Sequence, residues 1–545
     1  MPSFNLIHEP WLPVLDAGTN LRAVPEHPVS LREVGLQEAL VRAHEIREVY
    51  TDAPLETIAL YRLLLAIVID GFLPDVDEAA WRARWKRGHF DRDVVARYFA
   101  DPVREDRFDL LHPERPFYQH PTPLAKEPSP MSKLFHAEAS GNNATLFGHE
   151  LDQEPRPRTL AEAARGIIGA HAYSLAGLAG ASRQGGRLPN FSYAPLVGGA
   201  VFWIRGRSLF EALLLNAPPD PDARLMYDED DHVGRPPAWQ QPLAETPSKR
   251  PVEGYRDYLT WQARHLTLVT EQDENGVTIA TSVYQAQGDK DDPPVAKDPL
   301  MAMVIPDKKK AAFPFGFRAN RALWRDADIF FKLYKKNDSG SPSTFDWLRE
   351  MAEEEGVDQY AVDVFGLVND QAKVELWRHE RMPVFSALLS EEDSAGPLHE
   401  VTRALKFAEA QRKNLGGAVR TVADYLLAPP APGKDERPKP DGKAARSLVD
   451  ALGAEARYWA ALEPKFYVLL RDLANPAGDY DTRQTHLWAW AKDIYQTART
   501  AFETVTSHLD QDARQLRAVA EGTRRIGRVK EYRDHLKHVE EETML

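Results

Sequence analysis

Tyr360-Ala361-Val362-Asp363-Val364-Phe365, followed by Asn369-Asp370-Gln371-Ala372 and Val374-Glu375-Leu376-Trp377, is the stretch on which the fold turns. Tyr360, Val362 and Val364 alternate with Ala361, Asp363 and Phe365, the period-two pattern of a strand. Asn369-Asp370 supplies a two-residue turn that tolerates positive φ, and Val374, Leu376 and Trp377 bring the chain back. The predicted hairpin leaves Gln371 at its apex, uncharged, with two donors and an acceptor to offer. An amide there can enter a base stack where a carboxylate would be repelled by phosphate. An ordinary sheet turn has the same pattern, and the rest of the chain decides between them.

With 545 residues the chain is too long for one small core and predicts about two to four domains. Its hydrophobic content of 43% suits a globular protein, and no apolar run reaches membrane-spanning length. The longest apolar tract, Ile58–Phe72, contains Arg62 and Asp70, so it reads as a buried helix. No Lys or Arg precedes Arg22 and no apolar core follows Met1, so no signal peptide is expected. The absence of cysteine excludes disulfides, thiolate metal sites and thiol nucleophiles together. A net charge of −14 argues against uniform coating of nucleic acid. Any such contact has to be local, on basic patches in an acidic body.

Leu55–Ile69, Glu78–Lys86 and Leu160–Ala176 read as helices. Val201–Ile204 and Leu266–Val269 read as strands, the latter paired with Val277–Ala280 across Glu274-Asn275-Gly276. The Pro-rich stretch Pro218–Pro251 is expected to be an exposed, mobile loop. After about Pro383 the pattern turns helical. Pro397–Leu427 comes first, then a Pro-rich spacer from Ala428 to Gly442, then Ala444–Leu473 with Pro464 kinking it or starting a new segment. Leu487, Ala491, Ile494, Ala498, Ala501 and Val505 form one apolar stripe, and a last helix is predicted over Ala513–His538. Together these predict an α+β chain: a mixed α/β N-terminal domain over 1–385, then an all-α C-terminal four-helix bundle over 386–545.

No His-Glu-x-x-His pair, Gly-x-Ser-x-Gly elbow or phosphate loop with Lys-Ser/Thr occurs, so the chain reads as non-catalytic and needing no cofactor. The best metal candidate is Asp228-Glu229-Asp230-Asp231-His232, hard oxygen ligands beside an imidazole. A solvated acidic loop looks the same, because consecutive charges rarely converge on one ion. A metal-dependent hydrolase using Asp228–His232 and a protein-only scaffold are the alternatives to nucleic-acid binding.

Arg183-Gln184-Gly185-Gly186-Arg187-Leu188-Pro189-Asn190 follows a small-residue helix end and precedes the strand at Val201. Glycine lets backbone approach a base edge with no β-carbon in the way. The minor groove is narrow and presents mainly acceptors, so bare N–H groups suit it. Phe317-Arg318-Ala319-Asn320-Arg321 and Trp324-Arg325 interleave guanidinium with aromatic groups, which suits phosphate plus stacking contact. Arg524, Arg525, Arg528, Lys530, Arg533 and Lys537 load the last helix with positive charge, as a solvated face or a phosphate-neutralising one.

Phe4-Asn5-Leu6-Ile7-His8-Glu9-Pro10-Trp11-Leu12-Pro13-Val14 opens the chain, and Arg115-Pro116-Phe117-Tyr118-Gln119 and Ser140-Gly141-Asn142-Asn143-Ala144-Thr145-Leu146-Phe147-Gly148 follow. With the Gly185 loop, the Asn369-Asp370-Gln371-Ala372 turn and the helical tail, their order and spacing resemble the CasA family over nearly the whole chain. These are the large subunits of Cascade, the type I-E CRISPR surveillance complex of prokaryotes. The resemblance implies a non-catalytic, cytoplasmic subunit that meets other Cascade proteins, guide crRNA, double-stranded DNA and a helicase–nuclease acting in trans. It places Gly185, Gly186 and Asn190 near a loop that helps read the protospacer-adjacent motif from the minor groove. It makes Gln371 a wedge beside that motif, with Asn369 and Asp370 shaping the tip. A motif-reading lysine falls at Lys290, with Lys297 second. The segment of Asn142, Asn143 and Phe147 matches a loop that threads toward the guide-RNA 5′ handle and the backbone subunits. Some relatives carry a paired-cysteine cluster, which this chain lacks, so a zinc role does not transfer.

Overall fold

Leu12–Asp16 (β1) is the middle strand of a three-stranded antiparallel sheet, between Arg32–Val34 (β2) and Ile46–Val49 (β3). The computed structural model describes residues 3–17, 32–73, 77–135, 138, 156–177, 191–219, 234–243, 246–292, 298–305, 311–335, 338–370, 373–391, 396–430, 438–475 and 477–543. Pro54–Phe72 (α1) starts on a proline, whose missing N–H costs nothing at a helix start, and is buried on nearly every face. Its two charged residues are satisfied inside: Arg62 Nη1 reaches Asp298 Oδ2 at 3.1 Å, and Asp70 accepts the Tyr98 hydroxyl at 2.8 Å.

Glu78–Arg87 (α2) is capped by Asp77, and Leu160–Tyr173 (α3) by a reciprocal Thr159/Glu162 box. α3 stops short of Ala176, because the Ala172 and Ser174 carbonyls accept from the Leu196 and Ala194 amides instead of continuing the helix. Val201–Ile204 (β4) is wholly buried. Lys249–Arg250 (β5) comes next, then Arg264–Gln272 (β6), which pairs antiparallel with Thr278–Gln287 (β7). Lys290–Asp291 (β8) runs parallel to β5. The hairpin is Gln359–Asp370 (β9) and Lys373–Phe385 (β10), in a sheet of order β10-β9-β4. Val362 faces Ile204, and Phe365 faces Val201.

Two expectations are corrected by this architecture. β9 runs through Asp370 and β10 begins at Lys373, so Asn369 and Asp370 are strand residues and not the turn. Leu367 and Val374 are both buried, and that packing carries the ladder past the local Asn-Asp signal. The described part of Pro218–Pro251 mixes exposed and buried residues and is anchored at its buried ones. Trp239 is 2% exposed and its indole donates to the Tyr98 hydroxyl at 3.1 Å. Arg250 makes a bidentate pair with Asp257 at 2.6 and 2.9 Å. A buried indole and a two-pronged ion pair outweigh the mobility that prolines suggest.

The chain divides into two compact units, Met1–Ala322 with Leu333–Val384, and Leu323–Lys332 with Phe385–Leu545. Leu323–Lys332 joins the helical unit because Trp324 is fully buried there, with ring centroids 5.6 Å from Trp459 and 4.7 Å from Phe466. Arg325 lies 3.7 Å over the Trp459 ring and pairs with Glu409 at 2.6 Å. Trp324-Arg325 is therefore core structure, not a nucleic-acid patch.

The helical unit contains Gly396–Leu427 (α4), Gly442–Leu452 (α5), Ala454–Leu473 (α6), Tyr480–Thr506 (α7), Ala513–Arg525 (α8) and Lys530–Thr543 (α9). α4 packs against α6, α7 and α8, and α6 against α7. The helix expected over Ala444–Leu473 breaks at Gly453, left-handed at φ 66°, while Pro464 stays inside α6. The helix expected over Ala513–His538 also breaks, at Ile526–Val529. Both of those residues are buried, and the Gly527 carbonyl accepts from Gln411 Nε2 at 3.0 Å and Asn414 Nδ2 at 3.2 Å. Among the described residues no helix is long and apolar enough to cross a membrane.

Candidate nucleic-acid interface

The base of the Gly-rich loop is a closed pair. Gly177 and Phe191 exchange backbone hydrogen bonds, Gly177 N to Phe191 O at 3.2 Å and Phe191 N to Gly177 O at 2.8 Å. Arg264, at the start of β6, donates to the Leu175 and Ser192 carbonyls at 2.8 and 2.9 Å, and its guanidinium lies 4.8 Å over Phe191. Both ends of the segment 178–190 are thereby fixed, while Gly185, Gly186 and Asn190 lie outside the described residues.

The end of β7 meets this base. Gln287 Oε1 accepts from Ser192 N at 2.7 Å, and Gln287 Nε2 donates to Ser192 Oγ at 2.8 Å. Beyond it Gly288 turns close against the chain, with its N–H on the Ala263 carbonyl at 3.2 Å. Asp289 then takes Arg250 Nε at 2.9 Å and Ser248 N at 3.0 Å, and Lys290 N donates to the Ser248 carbonyl at 2.9 Å. These bonds make a fixed strap that ends on the exposed Lys290. A Cβ on Gly288 would collide with the Gln262 carbonyl and the Arg264 amide, both backbone atoms. Gly288→Ala is expected to cost about 1–3 kcal/mol, the usual overpacking penalty, measured by urea unfolding. Wild-type stability in that variant would mean the strap is not held this tightly.

The hairpin reaches the same place from the other sheet. Asn369 Nδ2 lies 3.5 Å from the hydroxyl of Tyr193, which is 45% exposed. Further down β10, Arg378 donates to the carbonyls of Arg321 at 2.8 Å and Arg318 at 3.3 Å, and its guanidinium lies 5.5 Å over Phe317. Arg318 is exposed and Arg321 half-buried in the tight turn so held. In the first unit, Gln287, three residues before Lys290, holds Ser192, and Asn369 stands by Tyr193, while the hairpin's other strand holds the Arg318–Arg321 turn through Arg378.

Arg525 and Arg528 belong to the helical unit. Arg525 is exposed at the end of α8, and Arg528 lies 5.1 Å over the Tyr495 ring in the break before α9. Gln371, Asn142, Asn143, Phe147, Lys297 and Asp228–His232 fall outside the described residues. Among the described residues, no group of three or more His, Asp or Glu is placed to hold a metal ion.

Residues 5–501 match the family described as CRISPR-associated protein Cse1. The chain belongs to the Cse1 family. It is 31% identical over 549 residues to the CRISPR-associated protein CasA/Cse1 of Thermus thermophilus, with 97% of each chain covered. A solved structure of Thermus thermophilus CasA (Cse1) matches with a TM-score of 0.74 at 27% identity, over 97% of this chain and 99% of that one. A chain of a structure described as a CRISPR RNA-guided surveillance complex shares the fold, with a TM-score of 0.72 at 22% identity over 96% of this chain and 100% of that one.

Within this member of the Cse1 family, the residues that tie the candidate interface together are ones the sequence did not single out. Ser192, Tyr193 and Gln287 are isolated polar residues with no period or motif. Gln287 stands next to the Gly288 that turns toward Lys290, which is the one local hint. Arg378 lies on the strand face that meets Phe317, and only the fold makes that face visible.

Proposed function

We propose that this chain is the non-catalytic large subunit of a type I-E CRISPR RNA-guided surveillance complex. In this reading it recognises a short motif in double-stranded DNA through the minor groove and opens the duplex beside it. Gly185, Gly186 and Asn190 approach the base edges, Lys290 adds a cation at the groove, and Gln371 enters the stack from the hairpin tip. Asn369 positions that tip, and Arg318 and Arg321 neutralise neighbouring phosphate. Guide pairing then extends from the opened step, with sequence choice left to the RNA. The segment of Asn142, Asn143 and Phe147 meets the crRNA and backbone subunits, Arg525 and Arg528 lie along displaced strand, and a helicase–nuclease is recruited in trans.

The observation that carries this reading is the double tie at the loop base: Gln287 on Ser192, and Asn369 on Tyr193. It supports the reading because three elements far apart in sequence then address one duplex. The Cse1 family membership and the shared fold with a chain of a surveillance complex support the assembly part.

Gln371→Ala in the assembled complex is expected to slow R-loop formation on linear duplex about tenfold or more, because unstacking a step costs a few kcal/mol. Assembly should be unchanged. Fluorescence of a base analogue beside the motif reads the opening rate. Unchanged opening kinetics would remove the wedge, and duplex binding that ignores motif and salt would remove the groove reading.

A further inference from the structure

A cavity of about 240 Å³ lies in the first unit, with Gly288 and Asp289 in its wall. Arg107, Arg235, Arg250 and Arg264 line it, and among the described residues Asp257 and Asp289 are the carboxylates that line it. Both aspartates are already taken by Arg250, at 2.6 and 2.9 Å. Arg264, 3% exposed, bonds only carbonyls: those of Ala263, Leu175 and Ser192. Arg107, 9% exposed, donates to the Ala238 carbonyl at 3.0 Å. A buried cation without counter-charge is costly, and burial alone pulls Arg264 down to about 9.

The same wall holds His265, 8% exposed, with both ring nitrogens buried and unbonded. Buried polar atoms are normally bonded, so this open pair is a donor a small movement of the ring can offer to the cavity. Burial, with repulsion from His120 and His171, brings His265 to about 4, so near neutral pH it carries one N–H donor. The His120 ring stands 4.4 Å from it. His120 arrives through Tyr118, whose φ of 51° is the one positive value on a non-glycine among the described residues. Backbone held in that region marks sites where local strain is maintained by surrounding structure.

We propose that this cavity binds a small phosphate monoester, no larger than a mononucleotide. Guanidinium forks match phosphate oxygens, and the His265 N–H completes the set of donors. Phe117, Tyr118 and Trp239 also line the cavity and offer an apolar side to a base or ribose. Its volume is below that of common drug-sized pockets and far too small for a duplex, so its ligand is not the duplex, although Gly288 and Asp289 belong to both the cavity wall and the strap.

Calorimetric titration of the full chain with inorganic phosphate, a 5′-mononucleotide and the matching nucleoside tests this. The two phosphates should bind at one saturable site with Kd below about 1 mM, and the nucleoside should not. Tighter binding of the mononucleotide assigns a nucleotide as the natural ligand, and binding of inorganic phosphate alone would overturn the monoester assignment. His265→Leu breaks no hydrogen bond of the fold and should weaken binding about tenfold or more while melting like wild type. Arg107→Gln should weaken binding likewise, with a small loss of stability from the Ala238 bond it gives up. No saturable phosphate binding to folded wild type at about 10 mM would overturn the proposal, as would folded variants that bind as wild type does.

Discussion

Asp363→Ala is expected to cost the first unit about 2–3 kcal/mol, the usual loss when hydrogen bonds to a buried charged group are removed, since Arg205 keeps Glu48 and Arg381 reaches solvent. Asp363, 3% exposed on β9, accepts from Arg205 Nη1 at 2.6 Å and Arg381 Nε at 2.8 Å. His379 Nε2 stands 3.1 Å from the same carboxylate, and Arg205 reaches on to Glu48 of β3 at 2.6 Å. One carboxylate thus joins both hairpin strands to the segment after β4. Burial pushes its pKa up, but His379, Arg381 and Arg205 outweigh that and hold it well below the usual carboxylate range. A carboxyl depressed in the folded state stabilises above its unfolded value near about 3.9 and loses that as pH falls through the folded value. The gap between wild type and variant is therefore full at neutral pH and starts to close below about pH 5. Urea unfolding near neutral pH and in acid measures both. A variant as stable as wild type at neutral pH, or a gap that widens in acid, would refute this.

Asp298→Ala is the second large effect, about 3–5 kcal/mol. Arg62 and Asp298 have side chains 4% and 2% exposed, 3.1 Å apart. The same carboxylate accepts the Tyr258 hydroxyl at 2.9 Å and the Leu300 amide at 2.8 Å. Burial works to lower the Arg62 pKa, yet Asp298 and Tyr258 outweigh it and keep the guanidinium charged. Removing Asp298 strands a full charge in the core beside α1. Replacing the set by apolar groups removes the stranded charge along with the bridge, so Arg62→Met, Asp298→Leu and Tyr258→Phe together should recover more than half of the loss. If the triple variant is less stable than Asp298→Ala, the desolvation argument fails. Thermal and urea unfolding give the comparison.

Parts of the candidate interface were legible in the sequence. The period of Tyr360–Phe365 gives the strand that carries the hairpin, while the glycines at 185 and 186 lie outside the described residues. The contacts that unite them were not. Ser192 meets Gln287 across 95 positions, and Tyr193 meets Asn369 across 176. No local pattern encodes a contact between single polar residues so far apart. The basic stretches show the same limit. Arg318 and Arg325 sit seven positions apart in similar aromatic company, yet one is exposed in a turn and the other stacks on Trp459 inside the helical unit.

The sequence by itself determined the two kinds of architecture, the buried nature of the Ile58–Phe72 tract and the absence of thiol chemistry. These follow from composition and from hydrophobic period, which act over a few residues at a time. Only the tertiary structure decided where the hairpin turns, which unit owns Leu323–Lys332, and where the long C-terminal helices break. Each of those outcomes depends on which distant side chain fills a space or accepts a hydrogen bond. Leu367 and Val374 extend the ladder, Trp459 and Phe466 claim Trp324, and Gln411 takes the Gly527 carbonyl. Long-range packing and polar satisfaction overrule local propensity at those points because a buried group left unpaired costs more than a turn or helix signal contributes.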